Sequence, residues 1–370
     1  MTPSGATEAN EKRDRAGDAS NADPVVSVVV TAYRRRTFLR EAVESVIAQT
    51  APPESFEVIV VKDFADAELD RWLGSFGPRV RVVTEALERV GAMLERGVRL
   101  ARGEIVCFLD DDDRYRPDKI EAVTARFRDD PGLALLKGRL RWIAADGRPL
   151  SRSAGLGRPG RLIVADAREA PENVVRALAR MDEDTVTSNL AVRRSVLLPW
   201  LDELRHLGTY QDGFIQLLAV ASGGRLRAEP IDWTDYRFHA STSHSVLSND
   251  AAQASEALAR ERRHTHEALG SLDVVARRAG PNSAAARWAA ILRLRTEIGE
   301  FLGDPARSLR PIDWIRAAGL SALPFPSAMR SSLFVQWLEC VPRFLAPSFT
   351  AQRIRAIRRR QAAAKLRSDA

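Results

Sequence analysis

The sequence of 370 residues predicts an α/β fold in which a mostly parallel central sheet is flanked by helices and followed by a C-terminal helical extension. Two observations support this prediction. Between residues 25 and 110, short apolar segments typical of buried strands alternate with segments of helical periodicity, which favours parallel strands joined by right-handed crossovers. Near residue 250 the composition changes to an Ala-, Arg-, Glu- and Leu-rich stretch that is typical of helices as far as Leu302.

Each predicted element has its own local signal. The first strands are short, apolar and rich in β-branched residues: 25–32, 56–61, 80–83 and 105–109. The first helices are 37–49, which Thr37 is expected to cap, a short helix from its cap Asp66 to Leu73, and 91–101. After Pro117 the pattern predicts helices from there to about 130, at 171–181 and at 211–221, strands at 133–143, 185–192, 225–229 and 233–239, and an irregular segment at 151–170.

The composition is ordinary for a globular protein, with 45% hydrophobic and 28% charged residues. Its two cysteines, Cys107 and Cys340, form neither a disulfide framework nor a metal-ligand spacing, which favours a reducing compartment and a cytoplasmic location. Residues 351–370 contain seven Lys or Arg and one Asp, so this basic tail accounts for six of the seven net positive charges. The remainder is nearly neutral, and nucleic-acid binding is therefore not indicated.

Four segments are expected along the chain. Residues 1–23 are polar without an apolar run, which is typical of a disordered leader rather than a signal peptide. The α/β domain follows at 24–245, the helical extension at 246–350 and the basic tail at 351–370.

Four consecutive carboxylates, Asp110 to Asp113, directly follow the predicted strand 105–109. Such crowding is unfavourable unless a cation or solvent offsets the repulsion. Hard cations such as Mg²⁺ and Mn²⁺ prefer oxygen ligands, and ligands of open α/β sheets bind at the carboxyl ends of the strands. The run therefore indicates a metal that holds a phosphorylated ligand. The alternative is a solvated turn in which Asp113 caps the helix after Pro117.

Five motifs occur in a recognisable order: SVVVTAYRRRTFLREAVESVIAQT at 27–50, FEVIVVKD at 56–63, Gly91 with ARGEIVCFLDDDD at 101–113 and Pro117, SNLAVRRSVL at 188–197, and YQDGFIQLLAVA at 210–221. Over residues 24–245 the chain resembles the family 2 inverting glycosyltransferases, whose nucleotide-binding fold is called GT-A. The resemblance implies a nucleotide-sugar donor, Mn²⁺ or Mg²⁺, and transfer with inversion to a hydroxyl of a glycan, a lipid-linked sugar or a small molecule.

The resemblance also implies roles for individual residues. Asp110 and Asp112, the outer residues of the family's Asp-x-Asp pattern, would hold the metal with His239. Asp212, an acidic residue at a helix start, would deprotonate the acceptor hydroxyl. The alternatives are a half-buried strand histidine at 239 and a plain helix cap at 212. The donor-binding residues implied are Thr31, Tyr33, Asp63, Gly91, Asp110, Asp111 and Arg237. The arginines at 34–36 are expected to be partly solvated, and the alternative for them is contact with the diphosphate.

Two positions depart from the family pattern. Lys62 stands where the family usually has the Asp that contacts a uracil-type base, and lysine offers only donors. Either Asp63 takes over this contact, or the base is not uracil. The milder departure is Gln211, where Glu is commoner.

Two other enzyme classes and a binding protein are alternatives to a glycosyltransferase. The motif of prenyl-diphosphate synthases fails at Arg114, and sugar nucleotidyltransferases would require glycines that residues 33–36 lack. A non-catalytic sugar-nucleotide-binding protein of the same fold stays open, and it would be favoured if Asp212 were remote from Asp112.

The end of the chain suggests a membrane contact. An apolar, aromatic segment at 331–349 precedes the basic residues 353–367, a combination that favours the surface of an anionic membrane. This would bring the protein to a lipid-linked acceptor on the cytoplasmic face. The alternative is a helical hairpin packed on the α/β domain and followed by a solvated basic end.

Overall fold

The structure, a computed structural model, describes residues 23–150, 161–181, 185–239 and 251–303. Residues 1–22 of the predicted leader, residues 304–350 of the predicted extension and the basic tail lie outside this part, so what was predicted for them stays a prediction. The strands are β1 (Val26–Ala32), β2 (Phe56–Lys62), β3 (Val80–Thr84), β4 (Ile105–Asp110), β5 (Arg114–Tyr115), β6 (Leu133–Ile143), β7 (Ile163–Asp166), β8 (Leu190–Arg193) and β9 (Arg225–Arg237).

Helices connect most of these strands and follow the last one. They are α1 (Leu39–Ile47), α2 (Ala67–Gly74), α3 (Val90–Leu100), α4 (Lys119–Asp129), α5 (Pro171–Met181), α6 (Arg194–Leu197), α7 (Leu201–Arg205), α8 (Gln211–Ala221), α9 (Ala251–Ala279) and α10 (Ala284–Gly303). Short 3₁₀ helices lie at Pro53–Ser55, Gly77–Arg79, Thr187–Asn189 and Leu198–Trp200. No helix in the described part of the chain is long and apolar enough to cross a membrane.

The strands form one sheet in the order β3-β2-β1-β4-β8-β6-β9-β5, with β7 beside β9. The four strands from β3 to β4 are parallel, as are β6 and β9, whereas β8 runs antiparallel to both of its neighbours. The predicted fold class is therefore confirmed. In β1 and β4, Thr31 pairs with Asp110, and in β1 and β2, Ala32 pairs with Lys62. The carboxyl ends of these three strands consequently meet at one edge.

Both faces of the parallel strands are covered, which explains why their sequences are apolar at nearly every position. Alternate residues of β1 face opposite layers: Val28 and Val30 pack toward α1, α2 and α4, and Val29 packs toward α3 and α8. The layer of α3 and α8 also contains the fully buried Trp288 of α10. The helices of the extension thus continue the core of the α/β domain.

Four local predictions are corrected by the structure. Thr37 caps no helix, because α1 begins at Leu39 without a side-chain cap; by contrast, Asp66 caps α2 by accepting from the Leu69 amide (3.1 Å). The predicted strand 185–192 begins as a 3₁₀ helix, and only Leu190–Arg193 is a strand. The strands predicted at 225–229 and 233–239 are one strand, β9, whose register against β6 shifts in the middle. Strand β7 lies within the segment expected to be irregular.

Candidate active site

The four carboxylates Asp110–Asp113, which we call the acidic turn, leave the sheet at the end of β4. Asp110 is held on three sides: its backbone N–H donates to Ser188 Oγ (3.0 Å), and its carboxylate accepts from Thr31 Oγ1 (3.2 Å) and Thr187 Oγ1 (3.4 Å). The Asp111 amide donates to the carbonyl of Thr31 (3.0 Å). Neighbouring strand ends therefore fix the start of the turn, as the predicted parallel order requires.

Arg35 is the cation that contacts the side chains of the acidic turn. Its Nε and Nη2 donate to the two oxygens of Asp111 (3.0 and 2.7 Å), and Nη2 also lies 2.7 Å from Asp112 Oδ2. The preceding Arg34 has a left-handed backbone (φ 56°), and its N–H donates to Asp63 Oδ1 (2.7 Å). This tight turn after β1 carries Arg35 toward the end of β4.

The arginines after β1 are predicted to be partly solvated, but Arg35 also forms ion pairs that this prediction does not include. Its side chain is 24% exposed and paired with two carboxylates. The signal that could have revealed the pair is the occurrence of a basic run and an acidic run after adjacent parallel strands, whose carboxyl ends must lie close together.

The electrostatics of the acidic turn reflect burial and mutual repulsion. Burial and, to a smaller extent, the charges of Asp112 and Asp111 together raise the pKa of Asp110 to about 7. Burial likewise raises the pKa of Asp111 to about 6, although the hydrogen bond from Arg35 opposes the rise. The pKa of Asp113 is raised well above its usual range, first by burial and then by the charge of Asp112. An additional cation at this turn would stabilise the ionised carboxylates.

Arg237 supports the acidic turn from the protein interior. Its side chain is 1% exposed. The backbone N–H donates to Asp113 Oδ1 (2.9 Å), Nε to the Asp112 carbonyl (2.8 Å), Nη1 to the Ala145 carbonyl (2.7 Å) and Nη2 to Glu41 Oε2 (2.6 Å). The predicted contact between Arg237 and a diphosphate is not compatible with this burial. Its role in this structure is to hold the turn.

His239 stands beside Asp112, as the metal hypothesis requires. Its Nε2 lies 2.9 Å from Asp112 Oδ2 and 3.4 Å from Nη1 of Arg35, and its side chain is 6% exposed. The ring also packs against Phe38, with 5.2 Å between centroids.

The acidic turn and His239 offer oxygen and nitrogen donors for a divalent metal. Within the described ranges, no three or more His, Cys, Asp or Glu side chains are arranged as a preformed metal site. Asp112 Oδ2 and His239 Nε2 nevertheless lie 2.9 Å apart, and Asp110 precedes Asp112 by two residues on the turn. Mg²⁺ is commonly held by one or two carboxylates and completed by substrate phosphates and water. The residues present therefore fit a metal whose coordination a diphosphate completes.

Asp212 lies in the first turn of α8. Its Oδ1 accepts from the Gly213 amide (2.8 Å), and the residue is half-buried. Tyr210, at the N-terminus of this helix, has a left-handed backbone (φ 67°), a conformation that costs a non-glycine residue about 1–3 kcal/mol and is found preferentially at functional sites.

The hydroxyl of Tyr236 in β9 is affected by the charges of both Asp212 and the acidic turn. Burial raises the pKa of the Tyr236 hydroxyl, and the negative charges of Asp113, Asp112, Asp110 and Asp212 raise it further, in that order. The charge of the predicted base and those of the predicted metal ligands thus act on the same buried hydroxyl.

The remaining predicted donor residues are in several environments. Tyr33 is half-buried, and its hydroxyl donates to the Glu88 carbonyl (2.8 Å). Asp63 holds the Arg34 amide, as described above. Gly91 donates to the Leu207 carbonyl (2.9 Å), and a Cβ at this position would come within 2.2 Å of the Leu204 carbonyl oxygen. Close packing therefore accounts for glycine at position 91, and its role toward a donor stays a prediction.

Lys62 explains the departure from the family pattern in part. Its side chain is fully buried; Nζ donates to the Phe64 carbonyl (2.6 Å) and pairs with Asp70 of α2 (3.0 Å). The ammonium is thus directed to the α2 layer and takes no part in the site around the acidic turn.

The comparisons with known proteins agree with this geometry. Residues 27–150 match the family model described as glycosyl transferase family 2. The putative glycosyltransferase EpsH of Bacillus subtilis is 32% identical over 115 residues, which are 30% of this chain and 33% of that protein. The glucosyl-dolichyl phosphate glucuronosyltransferase of Haloferax volcanii is 32% identical over 126 residues, which are 32% and 40% of the two chains. Both matches span less than half of the relative's length.

The fold is shared with solved structures. The crystal structure of S. aureus TarS 1-349 superposes with a TM-score of 0.52 at 14% sequence identity and covers 85% of this chain and 87% of that one. A likeness at this identity shows the fold alone. Residues 27–150 are therefore similar to family 2 glycosyltransferases, and the described residues share the GT-A-type α/β fold.

Proposed function

We propose that this protein is a metal-dependent, inverting glycosyltransferase that moves a sugar from a nucleotide-diphosphate donor to an acceptor hydroxyl. The observation that carries the proposal is the convergence of Asp212 and the acidic turn on Tyr236. A general base and a diphosphate-binding turn at one site are the two components that single-displacement sugar transfer requires.

In the proposed reaction, the carboxylate of Asp212 accepts the proton of the acceptor hydroxyl. The acceptor oxygen forms a bond to the anomeric carbon while the bond from that carbon to the β-phosphate oxygen breaks on the opposite face. The configuration inverts because there is a single displacement. A base at the N-terminal turn of α8 is held on a rigid element, since Leu217 and Leu218 of the same helix are fully buried.

The departing nucleoside diphosphate gains negative charge, and a Mn²⁺ or Mg²⁺ ion would supply positive charge there. Asp112, His239 and Asp110 are the residues that would hold it. Thr31 and Ser188 contribute indirectly, because their hydrogen bonds fix Asp110 at the end of β4.

The donor class is supported by the solved neighbours. S. aureus TarS 1-349 has also been crystallised with UDP-GlcNAc, and that structure superposes on this chain with a TM-score of 0.50. The base itself stays open: Lys62 is directed away from the site, so either Asp63 contacts the base or a base other than uracil is bound. Tyr33, half-buried on the rim after β1, is proposed to stack on it.

The experiment that tests the proposal is a screen of UDP-, GDP- and dTDP-sugars for release of nucleoside diphosphate, with and without Mn²⁺. Replacement of the base, Asp212→Asn, should lower the rate by about 10²–10⁴-fold and leave donor affinity nearly unchanged, since a general base acts mainly on the barrier. Asp202→Asn is the matched control, because Asp202 is 84% exposed on α7.

A non-catalytic sugar-nucleotide-binding protein is the second candidate. It would bind a donor, as shown by a thermal shift, yet release no diphosphate with any acceptor, and Asp212→Asn would change nothing. The position of Asp212 favours the enzyme, because a simple binding protein has no use for a carboxylate near a bound diphosphate.

We further propose a cytoplasmic location and an acceptor that is a glycan, a lipid-linked sugar or a small molecule. The relative in Haloferax volcanii is named for a dolichyl-phosphate-linked acceptor, which favours the lipid-linked class. Peripheral membrane contact through the basic tail is tested by co-sedimentation with anionic liposomes. Equal partitioning of the full chain and a chain ending at Phe349 would exclude the tail from membrane binding.

A further inference from the structure

The acidic turn is contacted by cations from two sides. Arg237 is 1% exposed and binds backbone carbonyls, whereas Arg35 is 24% exposed and binds only the side chains of Asp111 and Asp112 within the turn. Arg35 is therefore the cation on the solvent side, where a metal and a diphosphate would arrive.

The two contacts of Arg35 are unequal. Asp111 accepts from two nitrogens in the bidentate arrangement that is the strongest form of an arginine–carboxylate pair. Asp112 is reached only by Nη2, at 2.7 Å from Oδ2. The same Oδ2 lies 2.9 Å from Nε2 of His239, and this is the donor pair assigned to the metal.

Asp112 Oδ2 is thus in contact with Arg35 and is also one of the proposed metal ligands. A guanidinium and a divalent cation that share this oxygen would lie within a few ångströms of each other, where like charges repel strongly in a poorly solvated site. The two contacts to Asp112 are therefore expected to exclude each other.

We propose that Arg35 is a resident counter-ion of the acidic turn that stays anchored on Asp111 and gives up Asp112 to the divalent cation when the metal binds. This inference rests on the metal dependence in the proposed function. Arg35 stabilises the crowded carboxylates before the metal arrives and keeps them in place. The same contact makes Arg35 a competitor that weakens metal binding.

The test is the affinity of the full-length protein for Mn²⁺, with and without saturating UDP or GDP, measured by calorimetry and by the electron paramagnetic resonance signal of free Mn²⁺. Arg35→Gln removes the competing charge and should bind Mn²⁺ at least about tenfold more tightly than the wild type. Arg36→Gln is the matched control, because Arg36 is 63% exposed and pairs with Asp66 rather than with the turn. An affinity of Arg35→Gln that equals the wild type or is weaker would overturn the inference.

Thermal unfolding gives a second measurement. Without metal, Arg35→Gln should have a lower melting temperature than the wild type, because two carboxylates of the turn, Asp111 and Asp112, lose their solvent-side partner. Saturating Mn²⁺ should raise its melting temperature by more than it raises that of the wild type, since tighter binding to the folded state stabilises more. If Arg35→Gln does not fold, Arg35→Lys is the variant to measure. Because lysine cannot span both carboxylates, this variant should bind Mn²⁺ more tightly than the wild type. An unchanged or weaker affinity would overturn the inference.

Failure of the inference can be distinguished from failure of the proposed function. Suppose that the wild type binds Mn²⁺, that Asp112→Asn does not, and that the affinity of Arg35→Gln equals that of the wild type. The metal site is then correct and the role proposed for Arg35 is wrong. If neither the wild type nor Arg35→Gln binds Mn²⁺ even with the nucleoside diphosphate present, the proposed metal dependence fails as well.

Discussion

Arg237 provides the most direct test of how the acidic turn is built. The sequence suggested a contact with the donor diphosphate, whereas the structure buries the guanidinium behind the turn. Arg237→Met retains much of the side-chain volume and removes every hydrogen bond of the guanidinium. If the structure is right, the variant should lose stability in the absence of any ligand.

The magnitude follows from the groups that would be left without donors. The carbonyls of Asp112 and Ala145 lose hydrogen bonds of 2.8 and 2.7 Å, and a buried acceptor without a partner costs about 1–3 kcal/mol. Glu41 is 39% exposed and keeps its ion pair with Arg114 (2.6 Å), so it adds little. The sum is about 3 kcal/mol, which corresponds to a fall of about 6–12 °C in melting temperature for a domain of this size.

The assay is urea or thermal unfolding of the apo protein, with Arg36→Met as the control for loss of an exposed arginine. Arg36 makes a single ion pair of 3.3 Å at the surface, and its replacement should cost less than about 1 kcal/mol. Equal stability of the two variants, together with weakened donor binding in Arg237→Met, would refute the structural role and restore the contact predicted from the sequence.

Three further predictions concern the surroundings of the site. Asp112→Asn removes a charged ligand at nearly constant volume and should abolish Mn²⁺-dependent diphosphate release while circular dichroism stays unchanged; activity that survives both EDTA and this substitution would exclude the metal role. Gly91→Ala places a Cβ 2.2 and 2.6 Å from the carbonyl oxygens of Leu204 and Leu207 and should destabilise the protein by about 1–3 kcal/mol in urea unfolding, whereas Gly74→Ala, with open space around it, should not. Burial lowers the pKa of Lys119 to about 7, below the value of about 10.4 in an unfolded chain, so the unfolded state binds more protons between these values and the wild type should gain stability relative to Lys119→Met as the pH rises from 7 to 10. A constant difference over this range would show that the ammonium stays charged.

The fold could be predicted because its signals are local. Apolar runs of five to eight residues separated by helical periodicity specify buried parallel strands whatever their partners are, and the carboxyl ends of β1 and β4 must then coincide. The prediction failed where a distant contact decides the backbone. Residues 185–192 are rich in β-branched residues, yet Ser188 is drawn out of the strand pattern because its hydroxyl accepts from Asp110 and its carbonyl from Lys119 (2.6 Å).

The site was predictable to the level of residue types, but the assignment of the two arginines was not. Arg35 and Arg237 lie about two hundred positions apart and are chemically identical, and only the tertiary structure determines which is buried. The sequence suggested a donor contact for Arg237 and a partly solvated side chain for Arg35. In the structure β9 carries Arg237 beneath the turn, where it is buried. The left-handed backbone of Arg34 directs Arg35 onto the carboxylates of the turn.

The two arginines thus support the acidic turn in different ways, and their replacement should change Mn²⁺ affinity in opposite directions. Arg237 donates mainly to backbone oxygens, so it fixes the path of the turn and has no charged side chain of the turn to surrender to a metal. Arg35 contacts the side chains of Asp111 and Asp112 and the ring of His239 but no backbone oxygen of the turn in the described residues, so it can be displaced without a change in that path. Arg237→Met should therefore weaken Mn²⁺ binding by disturbing the geometry, whereas Arg35→Gln should strengthen it by removing a competing charge. Equal effects of the same sign would mean that both arginines act only through the net charge of the site, and the distinction between a fixed and an exchangeable cation would be wrong.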